Sequence, residues 1–345
     1  MKSAGILFFL IPFCFILFSC QNTKVKEEKL PDEMEQSILK MSQSYFTALP
    51  EINLEELNPE KKKMIDLGKK LFYDKILSEE QILNCATCHI IANYGATNLP
   101  VFPGNRGNIG SRNAPSIINA YLQNSQNWDA KYKNVEDQLI GMIFSKTEIG
   151  MTDTLTLLNR LRNDPFYVKS FGDVFPTFNP TISIQTLRQA LGSFLRSLTS
   201  PSRFDDYLKG NTYALSVKEK MGIKSFMDNG CVPCHSTSLV GGGMSQKFAL
   251  FGYYWDYTNS KHRDKGRYEL TKNPDDEYIF KVPQLRNVEK TYPYFHDGSV
   301  ETLEEAIRIM GMTESNRQLN ETDVENIAAF LRSLTGKIPE HALEN

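Results

Sequence analysis

Two pentapeptides carry the most specific chemistry in this chain. Cys85-Ala86-Thr87-Cys88-His89 and Cys231-Val232-Pro233-Cys234-His235 both read C-x-x-C-H. At that spacing two thiols reach the two vinyl groups of one haem, and the adjoining histidine approaches the iron from the proximal face. The chain holds six cysteines and five histidines, so nearly every one can be assigned. Cys14 falls in an apolar leader, Cys20 ends that leader, and the other four form the pentapeptides. No thiol remains for a disulfide. Two competing uses are weaker. A redox-active C-x-x-C requires a βαβ setting that the sequence lacks. A zinc site would need the two pairs to converge, and it would leave His89 and His235 without a role. Two c-type haems are therefore expected.

The segments that must position these residues repeat. Leu67-Gly68-Lys69-Lys70-Leu71-Phe72-Tyr73-Asp74 precedes the first pentapeptide, and Met221-Gly222-Ile223-Lys224-Ser225-Phe226-Met227-Asp228 precedes the second. Gly, Lys, Phe and Asp recur at matching places. After each site the hexapeptide Phe-Leu-Arg-Ser-Leu-Thr appears, at 194–199 and again at 330–335. Both copies close helical patterns: Ile184, Leu187, Leu191, Leu195 and Leu198 in one, Val324, Ile327, Ala328, Leu331 and Leu334 in the other. Thr322 with Glu325 fits a capping box, and Gly336 fits a C-terminal cap. A glycine in each first helix lets the closing helix cross it closely. Period-two apolar runs are scarce, and the stretch from Gly241 to Val288 is rich in turn formers and reads as long loop. The expected fold is mainly α, with two cytochrome c-like domains, each carrying one covalently bound c-type haem on long connecting loops. The expected boundaries are 46–210 for the first domain and 211–345 for the second.

Composition narrows the class. At 345 residues, 41% hydrophobic and 23% charged, the chain is globular, with two domains as the prior. With 39 basic against 41 acidic side chains it lacks the basic surplus of a nucleic-acid binder. Gly5 to Phe18 is almost unbroken apolar sequence, yet shorter than the roughly 20 residues a bilayer span requires. It reads as a secretory signal covering residues 1–19. It ends Leu17-Phe18-Ser19-Cys20, which resembles a bacterial lipoprotein box, so Cys20 is the expected lipidation site. An ordinary signal with a chance cysteine is the alternative. The polar stretch that follows, within 20–45, reads as a tether. The expected location is the periplasm, with membrane contact only through the lipid anchor.

Longer motifs carry a family resemblance. Lys281-Val282-Pro283-Gln284-Leu285-Arg286-Asn287-Val288, then Tyr294-Phe295-His296-Asp297-Gly298-Ser299 and Thr302-Leu303-Glu304-Glu305-Ala306, strongly resemble the bacterial dihaem cytochrome c peroxidases. So do Arg112-Asn113-Ala114-Pro115-Ser116 and Trp128-Asp129. The resemblance covers roughly residues 50–340, and its superfamily also holds MauG-like enzymes, which use peroxide to oxidise a partner protein.

The resemblance assigns roles residue by residue. Met310 matches the methionine that, with His235, binds the high-potential haem iron. MauG-like enzymes carry tyrosine there. Met221, Met227, Met244 and Met312 are rival thioethers in the same half. Glu148 matches the base that takes and returns the peroxide proton, and Gln138 its hydrogen-bonding partner. Trp128 matches the tryptophan lying between the haems. A calcium ion between the domains is implied, on the Asn113 side chain and the Thr291 and Pro293 carbonyls. Many relatives cap the peroxidatic haem with a histidine where this chain has Asn105. No histidine lies between His89 and His235, and His262, His296 and His341 fall in the second half. An open or water-ligated first iron is therefore expected.

The function these readings imply is reduction of hydrogen peroxide to water with electrons from a small c-type cytochrome or cupredoxin. A homodimer is among the expected assemblies. The alternatives are a MauG-like oxidase of a partner protein, which Met310 disfavours, and a non-catalytic dihaem electron-transfer cytochrome. The latter would need a filled sixth site on both irons, for which the first half supplies no histidine.

Overall fold

The structure, a computed structural model, describes residues 29–344. Its helices in chain order are α1 (Asp32–Tyr45), α2 (Pro59–Tyr73), α3 (Cys85–Cys88), α4 (Val135–Ile143), α5 (Thr154–Asn163), α6 (Pro165–Val174), α7 (Ile184–Ser197), α8 (Arg203–Leu208), α9 (Val217–Asp228), α10 (Tyr268–Thr271), α11 (Leu303–Ser315) and α12 (Glu321–Ser333). Two short antiparallel strands, β1 (Ser245–Lys247) and β2 (Ile279–Lys281), pair Ser245 with Lys281 inside the long loop region. The protein is thus mainly helical with little sheet.

Local sequence explains the helix starts. Asn58 caps α2 by accepting from Lys61 N–H, with Pro59 in the first turn. Ser183 with Thr186 and Ser216 with Glu219 form reciprocal capping boxes on α7 and α9. The cap of α12 differs from expectation. Asn320, not Thr322, accepts from the N–H three residues on, at Asp323, and the helix begins one residue before Thr322. An asparagine side chain competes well for that N–H, which leaves Thr322 inside the first turn.

The two glycines do what their placement suggested. A Cβ on Gly68 of α2 would lie 2.1 Å from the Ala190 carbonyl oxygen of α7. A Cβ on Gly222 of α9 would lie 2.0 Å from the Asn326 carbonyl oxygen of α12. In both crossings the next neighbour is a phenylalanine Cβ, Phe194 or Phe330, at 2.8 Å. Each crossing therefore requires a residue without a side chain. Gly336 serves close approach rather than capping. It has no left-handed φ, its N–H donates to Asn287 Oδ1, and a Cβ there would strike Pro201 and Ser200.

Two apolar cores result. One gathers Leu71, Phe72, Leu157, Phe171, Leu187 and Phe194 from the first half. The other gathers Ile223, Phe226, Val324, Phe330 and Leu334 from the second, with Phe226 and Phe330 rings 5.3 Å apart. Burying each such side chain contributes about 1.5–3 kcal/mol.

The chain ends cross between these cores, which corrects the tether reading for residues 32–45. Those residues form α1, and Leu30, Ile38, Leu39 and Phe46 are buried in the second core. Glu35 and Lys220 form a buried ion pair that joins α1 to α9. At the other end, Ala342 is buried against the first core, Tyr73 donates to its carbonyl at 2.7 Å, and His341 meets Ser197 at 2.8 Å. The boundary at 210 also shifts, because Phe204, Tyr207 and Leu208 of α8 belong to the second core. The leader, Cys20 and residues 21–28 lie outside the described residues. Among the described residues no helix is long and apolar enough to cross a membrane.

Candidate active site and haem cavities

The first pentapeptide opens onto a cavity of about 390 Å³, lined among others by Cys85, Cys88, His89, Trp128, Gln138 and Glu148. Its thiols sit on α3, a single turn that would not persist alone. Asn84 holds it: Oδ1 accepts from Thr87 N–H at 2.9 Å, the Asn84 N–H donates to Thr87 Oγ1, and Nδ2 donates to the Tyr73 carbonyl at the end of α2. His89 Nδ1 lies 3.1 Å from the Gly95 carbonyl, aimed by left-handed Tyr94 and Gly95. That bond places the proton on Nδ1 and leaves Nε2 for a metal. Burial lowers the His89 pKa, which favours the neutral ligand form. Burial likewise pushes the Cys85 thiol up to about 12 and Cys88 to about 11.

Glu148 and Asp129 are the two carboxylates in this lining, and they differ. Asp129 is paired with Arg112 at 2.8 Å. Glu148 has no ion-pair partner among the described residues, and burial pushes its carboxyl up to about 7, with Lys131 opposing and Asp129 adding. Gln138 shares the cavity, but its amide donates to Asn127 Oδ1 at 2.7 Å rather than to Glu148. Asn105 does not line the cavity. It is buried behind Glu148, its N–H donating to the Glu148 carbonyl at 3.0 Å and its amide packed on Gly150. His89 is the one histidine in the lining, and His262 is exposed elsewhere.

The second pentapeptide opens onto a cavity of about 450 Å³. His235 Nδ1 lies 3.2 Å from the Val240 carbonyl. Val240 and Thr237 both hold left-handed φ, uncommon for β-branched residues, so the turn around His235 is strained to aim that carbonyl. The Thr237 N–H donates to the Tyr45 carbonyl, which ties α1 to this turn. Burial lowers His235 to about 4. Met310, on α11, lines the cavity, whereas Met221, Met227, Met244 and Met312 do not. Glu314, one turn beyond, accepts from Ala249 N–H and is raised by burial.

A shared wall separates the cavities. Trp128 and Asn113 line both. Trp128 Nε1 donates to the Asn113 carbonyl at 2.9 Å, and Asn113 N–H donates to the His296 carbonyl at 2.6 Å. The Trp128 and His296 rings stand nearly perpendicular, 6.4 Å apart. Arg112 pins the wall from both sides, reaching Asp129 at 2.8 Å and Asp264 at 2.7 and 3.0 Å. Asn113, Thr291 and Pro293 all line the second cavity.

The family model described as di-haem cytochrome c peroxidase matches residues 62–213. The cytochrome c551 peroxidase of Pseudomonas aeruginosa is 37% identical, over 96% of this chain and 93% of its own. That of Nitrosomonas europaea is 36% identical, over 84% and 85%. The chain belongs to the di-haem cytochrome c peroxidase family. A solved MauG-like protein associated with microbial copper homeostasis superposes with a TM-score of 0.72 at 27% identity, covering 86% of this chain and 95% of that one. The diheme peroxidase BthA of Burkholderia thailandensis, at 19% identity and a TM-score of 0.66, shares the fold.

Membership of a di-haem peroxidase family implies two c-type haems, and the residues present fit them. Each cavity offers two thiols and a half-buried histidine, its pKa lowered by burial, whose outer nitrogen is bonded to a carbonyl. The roles of Arg112 and Lys281 escaped the sequence reading, although both lie in motifs quoted for the resemblance. Their signal was position in the motif: Arg112 gains its partners Asp129 and Asp264 from distant loops, and Lys281 becomes buried only when the walls of the second cavity assemble.

Proposed function

We propose that this peroxidase reduces hydrogen peroxide to two waters at the first cavity, drawing two electrons through the second from a small c-type cytochrome or cupredoxin. Cys85, Cys88 and His89 hold one haem, and Cys231, Cys234, His235 and Met310 hold the other. The bound irons supply the redox chemistry. The observation that carries the reading is Glu148: a half-buried carboxyl without an ion-pair partner among the described residues, facing the same cavity as His89, raised to about 7.

A base with that pKa is half ionised near neutrality, where it can both accept and release a proton. The Glu148 carboxylate takes the proton from one peroxide oxygen and returns it to the other as the O–O bond breaks. Gln138, held by Asn127, orients peroxide rather than transferring protons. Trp128 carries electrons across the wall between the cavities. Met310 supports the peroxidase over a MauG-like oxidase, because a thioether ligand favours ferrous iron and a high potential. Calcium on Asn113, Thr291 and Pro293 would rest on neutral oxygens alone, so the remaining ligands would be water. Lipidation of Cys20 would keep the enzyme at a membrane facing the periplasm, and a homodimer remains part of the proposal. The test is peroxide-dependent oxidation of a reduced small cytochrome c by the purified holoprotein. Stoichiometric oxidation of two donors per peroxide supports the reading. Peroxide consumption without donor oxidation overturns it.

A further inference from the structure

The second cavity contains a buried cation that the mechanism above does not use. Lys281 is 4% exposed, ends β2 and lines the cavity beside Trp128, Asn113 and His296. Its ammonium forms no ion pair or hydrogen bond with another described residue. Asp129, the carboxylate that acts on it from a distance, is already paired with Arg112 at 2.8 Å. Burial pushes the ammonium down to about 7. An isolated ammonium in such a place is costly, and an anion beside it offsets that cost.

The cofactor supplies anions at a defined edge. Vinyl groups, bound to Cys231 and Cys234, occupy one side of a c-type haem, and the two propionates leave from the other. Glu314 lies near the thiol side, where its charge acts on Cys234. Lys281 stands with Trp128 and Asn113 at the wall shared with the first cavity. Among the other charged side chains in this lining, Lys247 is exposed, Glu314 is acidic, and burial holds His296 toward neutrality. Lys281 is therefore the buried cation available to a propionate.

We propose that Lys281 binds a propionate of the haem in the second cavity, at the edge that faces Trp128, and thereby raises that haem's potential. The inference rests on the haem assignment under Proposed function. A positive charge beside the macrocycle favours the reduced state, which carries one positive charge fewer.

The test is a spectroelectrochemical titration of both haems in the holoprotein, comparing wild type with Lys281→Met, Lys281→Gln and Lys281→Arg. Met and Gln are similar in length and both neutral, so either one that folds suffices, and Arg retains the charge. The expected result is a lower potential for the methionine-ligated haem alone in the neutral variants, with Arg close to wild type. An unchanged potential in a neutral variant overturns the proposal. So does an equal fall at both haems, which would report a general field instead of a contact. The underlying assignment is read separately, from the thioether-to-iron charge-transfer band of wild type. Absence of that band refutes Met310 ligation whatever the Lys281 variants do.

Discussion

The main-chain N–H of Lys281 donates to the carbonyl oxygen of Trp128 at 2.7 Å. The bond joins β2, on the wall of the second cavity, to a residue that lines both. With Trp128 Nε1 bound to the Asn113 carbonyl, the indole is held at its backbone and at its ring. Trp128→Phe keeps a ring but removes the Nε1 bond. It should cost about 1 kcal/mol in denaturant unfolding, the usual worth of one such bond. Electron transfer between the haems should slow while both potentials stay put, which flash or stopped-flow reduction of the half-reduced protein measures.

Glu148 sets a pH profile. Its folded-state value of about 7 lies above the ordinary 4.5, so the ionised base appears only as pH rises through about 7. Peroxidase rate should climb across that interval. Glu148→Gln should retain both haems, lose about 10²–10⁴-fold in rate and lose the climb. Stability runs the other way. The raised carboxyl contributes fully below about 4.5, and its contribution is lost as pH rises through about 7. Wild type should therefore lose more unfolding free energy across that window than the Gln variant.

Resting reactivity follows from the lining of the first cavity. His89 is its one histidine, and Asn105 packs behind Glu148 instead of facing inward. The fully oxidised holoprotein should react with peroxide without a prior electron. Stopped-flow mixing of the oxidised protein with peroxide checks this. A spectrum that changes only after half-reduction would sink it.

Met310→His should lower the potential of the second haem substantially, because imidazole favours ferric iron more than a thioether does. Redox titration reads the shift. An unchanged potential would point to another ligand, although the four rival methionines lie outside the cavity.

Lys220→Met should destabilise the protein by about 3–5 kcal/mol, since it strands the Glu35 carboxylate in a buried site. Adding Glu35→Leu should recover most of the loss. Chemical denaturation of the single and double variants separates this from a simple packing defect.

Much of the candidate site was legible from short-range sequence, and the reasons are physical. C-x-x-C-H encodes reach to a cofactor within five residues. Gly68 and Gly222 were readable because each repeat carries its own closing helix. Gln138 lines the first cavity with Glu148, but its amide meets Asn127, which sits on a loop whose path no local pattern reveals. Helix α1 was missed for a similar reason. Ile38 and Leu39 are sparse apolar residues in a charged stretch, and its polar partners, the Leu208 carbonyl and the Lys220 ammonium, lie 165 and 185 positions away from Gln43 and Glu35. The lone cation at Lys281 has no sequence signature beyond its motif, because burial is a property of the assembled walls.

The crossing of the chain ends bears on how such a molecule can be divided. A duplicated module, cut midway between its two copies, would leave each fragment short of part of its own interior. The first would lack Ala342 and Leu343, and the second would lack Leu30, Ile38, Leu39 and Phe46. Residues 46–210 expressed alone would carry Phe46, Phe204 and Tyr207 without Phe330 and the other second-core side chains that cover them. A separable second half would need its opening helix, α1, grafted on from far upstream in the chain. Each copy completes its interior with a segment taken from the far side of the other, so a change that loosens either crossing reaches both cores.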